Sequence, residues 1–209
     1  MSEIKNIIFD LGGVIINLDT TKTISEFNKL SKLPFEAIYT QLQQSTIFDL
    51  FDKGLISEND FFKELKMLTQ STASESELKQ AWNAMLLDFP SNRLNLLTKL
   101  KPHFRLFLLS NTNETHVTEF ENTLFETQQY KNLEPFFEKV YYSCRMKMRK
   151  PDVEIFDFVL AENGLNASET VFIDDTPHHV QGALKTGIKA YLLPKEKEVE
   201  SLLNELNLI

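Results

Sequence analysis

Five short apolar runs punctuate the chain: IKNIIF (4–9), RLFLLS (105–110), KVYYS (139–143), TVFID (170–174) and KAYLL (189–193). Each is continuous rather than alternating, as expected of strands covered on both faces in a parallel sheet. Between them lie amphipathic stretches with readable ends. NRLNLLTKL follows Ser91 and puts Leu94, Leu96, Leu97 and Leu100 mostly on one face. DVEIFDFVLAEN begins after Pro151 and stops at Gly164, and PHHVQGALKT stops at Gly187, glycine being the residue that best closes a helix in the left-handed region. This alternation predicts right-handed crossovers and a doubly wound α/β fold around a mainly parallel, Rossmann-like sheet.

From residue 18 to 88 the alternation lapses, and only helical patterns appear. They are TTKTISEFNKLSKL, PFEAIYTQLQQSTIFDLF, SENDFFKELKMLTQ and SESELKQAWNAMLLDF. Ser57 with Asp60 has the spacing of a capping box, with aspartate in the usual glutamate place. The stretch is too long for one strand-to-strand crossover. It predicts a helical cap over residues 18–88, inserted into a core formed by 1–17 and 89–209. Phe35, Phe48, Phe51, Phe61 and Phe62 read mainly as the interior of that cap, while Trp82 suits either its core or a pocket wall.

Composition narrows the partners. A formal net charge of −8 argues against nucleic acid and anionic membranes, both of which reward a basic face. It leaves room for a small anionic substrate in a locally positive pocket. The single cysteine, Cys144, excludes an internal disulfide, and no uncharged apolar run approaches membrane-spanning length. A soluble, cytoplasmic protein is the expectation, and no pattern in the chain speaks to oligomeric state.

In open parallel sheets ligands bind beyond the carboxyl ends of the strands, so the residues there form the candidate site. Asp10 follows the first strand; Ser110, Asn111, Thr112 and Asn113 close or follow the second. Arg149, Lys150 and Pro151 come after the third, and Asp174 and Asp175 end the fourth. Three converging carboxylates repel one another in a low dielectric unless a cation lies between them. Oxygen ligands without a His/Cys cluster favour a hard ion such as Mg2+. A lysine with a hydroxyl and an amide supplies the fixed charge and neutral donors that a phosphoryl group needs. An aspartate beside them can attack phosphorus and form an aspartyl-phosphate that water then hydrolyses.

FDLGGV, LLSNTN, MRKPDVEIF and VFIDDTPHHVQGA together resemble the four motifs of the haloacid-dehalogenase-like hydrolase superfamily, in order and spacing. A helical insertion after the first motif is where that superfamily places its type 1 cap. Within it, the chain resembles the alpha-D-glucose-1-phosphate phosphatase subgroup. The resemblance implies a Mg2+-dependent phosphatase with Asp10 as nucleophile and metal ligand. It further implies the Gly12 carbonyl and Asp175 as direct ligands, and Asp174 as a ligand directly or through water. Ser110 and Asn111 would hold the phosphoryl oxygens, and Lys150 would neutralise phosphate and orient Asp10.

One position departs from the superfamily pattern. Most of its phosphatases carry a second aspartate two residues after the nucleophile as general acid/base; here that residue is Gly12. Such assistance is typically worth ~10²–10⁴-fold, so its absence favours a good leaving group, such as the sugar of an anomeric hexose phosphate. It disfavours a phosphomutase, and a dehalogenase would not need the acids at 174 and 175. The rival expectation is a catalytically weak or inactive family member that binds a phosphorylated metabolite or a partner protein. His116, His178 and His179 lie near motif helices but read as structural or solvated, and Cys144 reads as packing.

Overall fold

The computed structural model describes residues 3–39 and 46–209. Its five strands are β1 (Asn6–Phe9), β2 (Arg105–Ser110), β3 (Lys139–Tyr142), β4 (Thr170–Asp174) and β5 (Lys189–Leu192). They form one sheet of order β3-β2-β1-β4-β5, and every pairing is parallel. β1 and β4 are buried along their whole length, which is why their sequences are apolar without alternation. The edge strand β5 is only half-buried.

Successive side chains along a strand face opposite layers. Ile7 and Phe9 of β1, with Leu106 and Leu108 of β2, pack on one face against α5 (Ser91–Leu100), α6 (Glu114–Gln128) and α10 (Val199–Glu205). After β3 and a single-turn α7 (Ser143–Met146), α8 (Val153–Asn163) and, later in the chain, α9 (Pro177–Leu184) cover the other face, against Ile8, Phe107, Leu109 and Phe172. The result is the expected doubly wound, three-layer α/β arrangement. α8 closes at Gly164, whose φ of 61° is left-handed as its sequence position predicts. Ser91 is the first residue of α5 rather than its cap; Pro90 holds the cap position, and the Ser91 side chain turns to Gln128.

The intervening stretch carries α1 (Thr20–Leu30), α2 (Thr46–Asp52), α3 (Glu58–Leu68) and α4 (Glu75–Asn83). The sequence reads 34–51 as one helix. The structure instead shows a 3-10 turn at Phe35–Ala37 and α2 from Thr46, and residues 40–45 of that expectation lie outside the described residues. Ser57 caps α3 by accepting from the Asp60 N–H at 3.1 Å; the complete reciprocal box is formed by Ser74 and Glu77 on α4. A second buried cluster, from Phe27 to Met85, draws all its members from these helices and their connections. The two chain crossings into this region run side by side, Leu87 N–H donating to Asn17 O and Asp19 N–H to Met85 O. No described helix is long and apolar enough to cross a membrane.

Aromatic rings dominate that second cluster. Phe61 stacks on Phe51 at 4.0 Å between centroids and meets Phe62 and Trp82 at 5.1 and 5.2 Å. Phe61→Ala therefore lowers the unfolding free energy by about 3–5 kcal/mol in urea titrations. A loss below about 1 kcal/mol would contradict this packing.

Candidate active site

The parallel register delivers its groups to one edge. Asp10 N–H extends the ladder past β1 by donating to Ile173 O at 2.9 Å, so Asp10 stands beside the end of β4 and its Asp174. Lys150 Nζ lies between them, 2.6 Å from Asp10 Oδ1 and 2.6 Å from Asp174 Oδ2, on a side chain with 0% exposure. Asn111, just past β2, fixes that lysine. Its Oδ1 accepts from Lys150 N–H at 2.9 Å and its Nδ2 donates to Lys150 O at 2.8 Å. The Asn111 side-chain amide is therefore engaged with the lysine backbone. Ser110 is buried at the pocket floor, where its hydroxyl makes only a 3.5 Å contact to Asn111 O.

The acids are not equivalent. Asp174 accepts from Lys150, from Thr176 N–H at 2.8 Å and from His179 Nδ1 at 3.1 Å, so both its oxygens are engaged. Burial opposes its ionisation, but Lys150 and then His179 outweigh it and hold the carboxyl below its usual range. Asp175 accepts from Thr176 Oγ1 at 3.0 Å and is only partly buried; burial, then Asp174, raise its pKa. Neither acid caps α9, whose cap is Thr176. Burial raises the Asp10 carboxyl to about 8, with Asp174 and Asp175 adding to the rise and Lys150 opposing it. For Lys150, burial works downward and is overcome by Asp10 and Asp174.

These values test whether a cation fits. Asp10, Asp174 and Asp175 each offer an oxygen within 4.8 Å of the others, and one lysine cannot neutralise three carboxylates. The donor set is all oxygen, which suits a hard divalent ion. Gly13 keeps the loop close: its φ is +69°, and a Cβ there would lie 2.3 Å from Asp175 Oδ2. A Cβ on Gly12 would lie 3.9 Å from Asp10 Oδ2, but 2.5 Å from Leu18 Cδ1. An apolar methyl therefore occupies the space beside Asp10 that a residue-12 side chain would enter.

A pocket of about 160 Å³ connects this edge to the helical region. Asp10, Gly12, Ser110 and Asp175 line its floor, and Tyr39, Asp52, Trp82, His116 and Arg149 line its wall. The sequence reading missed Asp52 and Tyr39 as pocket residues and gave Arg149 no role. Asp52 accepts from Asn113 Nδ2 at 3.2 Å, and burial raises its carboxyl to about 6. His116 stacks on Trp82 at 5.0 Å with its Nε2 3.2 Å from Trp82 O, and burial lowers it to about 4. His179, likewise lowered to about 4 by burial, contacts Asp174, whereas His178 is exposed at the pocket mouth. Cys144 is buried, and burial pushes its thiol up to about 12, as expected for a packing residue.

Comparison with known proteins places these motifs in context. The profile of the haloacid dehalogenase-like hydrolase family matches residues 7–193. The chain is 30% identical over 188 residues to the D-ribitol-5-phosphate phosphatase of Bacteroides thetaiotaomicron, covering 90% of this chain and 91% of that protein. It is also similar to a HAD-family enzyme of Bacteroides thetaiotaomicron solved with magnesium and inorganic phosphate. There the TM-score is 0.84 at 36% identity, covering 95% of this chain and 98% of that one. A HAD-like hydrolase structure from Porphyromonas gingivalis gives a TM-score of 0.87 at 30% identity, covering 98% of each chain.

The depressed pKa of His116 has a signed consequence. The unfolded chain protonates this residue near 6.5 and the folded protein only near 4, so its contribution is complete above pH 6.5 and lost as pH falls through 4. His116→Gln should therefore narrow the difference in unfolding free energy between pH 7 and pH 4.5 by about 2 kcal/mol relative to wild type. An unchanged difference would show that His116 is not held neutral against Trp82.

Proposed function

The chain belongs to the haloacid dehalogenase-like hydrolase family, and from that premise we propose that its pocket hydrolyses a small sugar or polyol monophosphate through phosphorylation of Asp10. The protein is a phosphoric monoester hydrolase whose cofactor is Mg2+. The observation that carries the detailed reading is the contact of Lys150 with both Asp10 and Asp174 at 2.6 Å, which joins the buried lysine to a pocket lined by Asp10, Ser110 and Asp175.

Asp10, Asp175 and the Gly12 carbonyl would hold the ion. Asp174, already engaged by Lys150, Thr176 and His179, suits contact through water. When bound, Mg2+ supplies positive charge that compensates the carboxylates and the phosphoryl oxygens. Lys150 keeps a fixed positive charge against Asp10, and Asn111 holds that lysine in place. A carboxylate oxygen of Asp10 attacks phosphorus as the bond to the leaving alcohol breaks, and the departing oxygen takes a proton from water. Water then attacks the phosphorus of the aspartyl-phosphate, releasing inorganic phosphate and restoring Asp10. Residue 12 is a glycine, so no side chain there supplies the leaving group's proton. The helices within residues 18–88 act in this reading as a cap that covers the core of 1–17 and 89–209.

Two lines bear on the substrate. Gly12 favours a leaving group that needs little protonation, such as the sugar of glucose 1-phosphate in the subgroup that the motifs resemble. The Bacteroides relative is instead named for D-ribitol 5-phosphate, a phosphate on a primary alcohol. The shared element is a polyhydroxylated alcohol carrying one phosphate.

A phosphate-release panel with Mg2+ tests this. Wild type should cleave hexose, pentose or polyol monophosphates, and Asp10→Asn should reduce turnover by at least roughly 10³-fold. Wild-type protein that binds inorganic phosphate yet releases none from any ester would instead mark an inactive binder. Gly12→Asp should raise the turnover of alkyl phosphates relative to anomeric ones by at least about tenfold. An unchanged ratio removes the leaving-group argument.

A further inference from the structure

The wall opposite the phosphate end of the pocket carries an acid that the chemistry at Asp10 does not use. Asp52 ends α2, lines the same pocket as Asp10, and keeps 14% of its side chain exposed. Its backbone is tied down on the core side, where Ser143 Oγ donates to Asp52 O at 2.6 Å. Among the described residues, the only hydrogen bond to its carboxylate comes from Asn113 Nδ2, onto Oδ1. Arg149 Nη2 stands 4.0 Å from Oδ2, beyond hydrogen-bond range.

The charges around it determine what can approach. Arg149 is ion-paired with Asp49, and Lys53 reaches Asp152 at 3.2 Å. Two cations thus face three carboxylates, with Arg149 shared between Asp49 and, at 4.0 Å, Asp52, so the group keeps one negative charge in excess. A carboxylate with spare acceptor capacity is a good partner for hydroxyl hydrogens and a poor one for a second anion. Arg149, ion-paired with Asp49, and His116 share this wall, and Tyr39, Trp82 and Met85 supply the apolar surface that suits the carbon skeleton of such a chain.

We infer that Asp52 determines specificity: it accepts hydrogen bonds from hydroxyls of the leaving alcohol and selects the monophosphate of an uncharged polyhydroxylated chain over one ending in a second anion. The inference rests on the phosphatase reading of the pocket and names the residue that reads the alcohol.

Three substrates test it with the full chain and Mg2+: a pentitol 5-phosphate, the aldonic acid 5-phosphate of the same length, and phenyl phosphate. Wild type should favour the pentitol over the aldonate by at least about tenfold in kcat/KM. In Asp52→Asn that preference should collapse by about tenfold or more, with KM carrying the change, and the pentitol-to-phenyl ratio should fall similarly. Asp52→Glu keeps the charge and should keep the discrimination against the aldonate. A preference that is absent in wild type, or unaltered in Asp52→Asn, overturns the inference. So does a parallel fall on all three substrates, which would mark Asp52 as a structural residue only. If wild type cleaves none of the three, the phosphatase reading falls and takes this inference with it; wild-type turnover with unaltered ratios defeats the inference alone.

Discussion

One buried ammonium group holds the carboxyl edge of the sheet together. Lys150 Nζ contacts acids from the ends of β1 and β4 at 2.6 Å each, and the Asn111 amide just past β2 fixes the lysine from both sides of its backbone. Three neighbouring strands thereby share one ionic node whose ammonium group is fully buried. A charge so buried is costly unless it is paired and hydrogen-bonded, and here both conditions hold. The same node explains the ordering of the acids. Asp174 is saturated by Lys150, Thr176 and His179, while burial and two like charges leave Asp10 short of compensation. A further cation beside Asp10 and Asp175 would answer that deficit, and the related Bacteroides structure is a complex with magnesium and inorganic phosphate.

The loop after β1 closes around this deficit by leaving side chains out. Gly13 approaches Asp175 so closely that no Cβ fits, and Gly12 faces the Leu18 methyl. The first glycine of the pair gives up the place of an acid; the second gives up bulk so that the loop can turn over the carboxylates. The backbone here serves geometry, and the pocket's side chains come from both the strand ends, with Asp10, Ser110 and Asp175, and the helical region, with Tyr39, Asp52 and Trp82.

Much of this was legible in the amino-acid sequence, for a physical reason. Strands buried on both faces read as unbroken apolar runs, so β2 and β4 coincide with their predicted bounds and the others differ by one or two residues. Because the strands are parallel, their carboxyl ends share one edge, where Asp10, Ser110, Asp174 and Asp175 fall together, and Lys150 joins them from the connection that follows β3 and the turn of helix Ser143–Met146. The helical region was legible as helices but not in detail, because a 3-10 turn after Pro34 satisfies the same apolar spacing as an α-helix start. Two features depend on long-range contacts that no local pattern encodes. Nothing local to Asn111 shows that its amide will bind the backbone of Lys150, 39 residues later. Asp52 resembles any acid at a solvated helix end until Asn113 and Arg149 fold against it.

The central claim is that Asp10 itself takes the phosphoryl group, held for that purpose by Lys150. The stereochemical course at phosphorus tests it most directly, using a substrate made chiral at phosphorus with oxygen isotopes and following the configuration into an acceptor alcohol or labelled product. Two successive displacements, first by Asp10 and then by the acceptor, predict net retention of configuration. Net inversion would mean that the acceptor attacks the substrate directly, and would contradict the account.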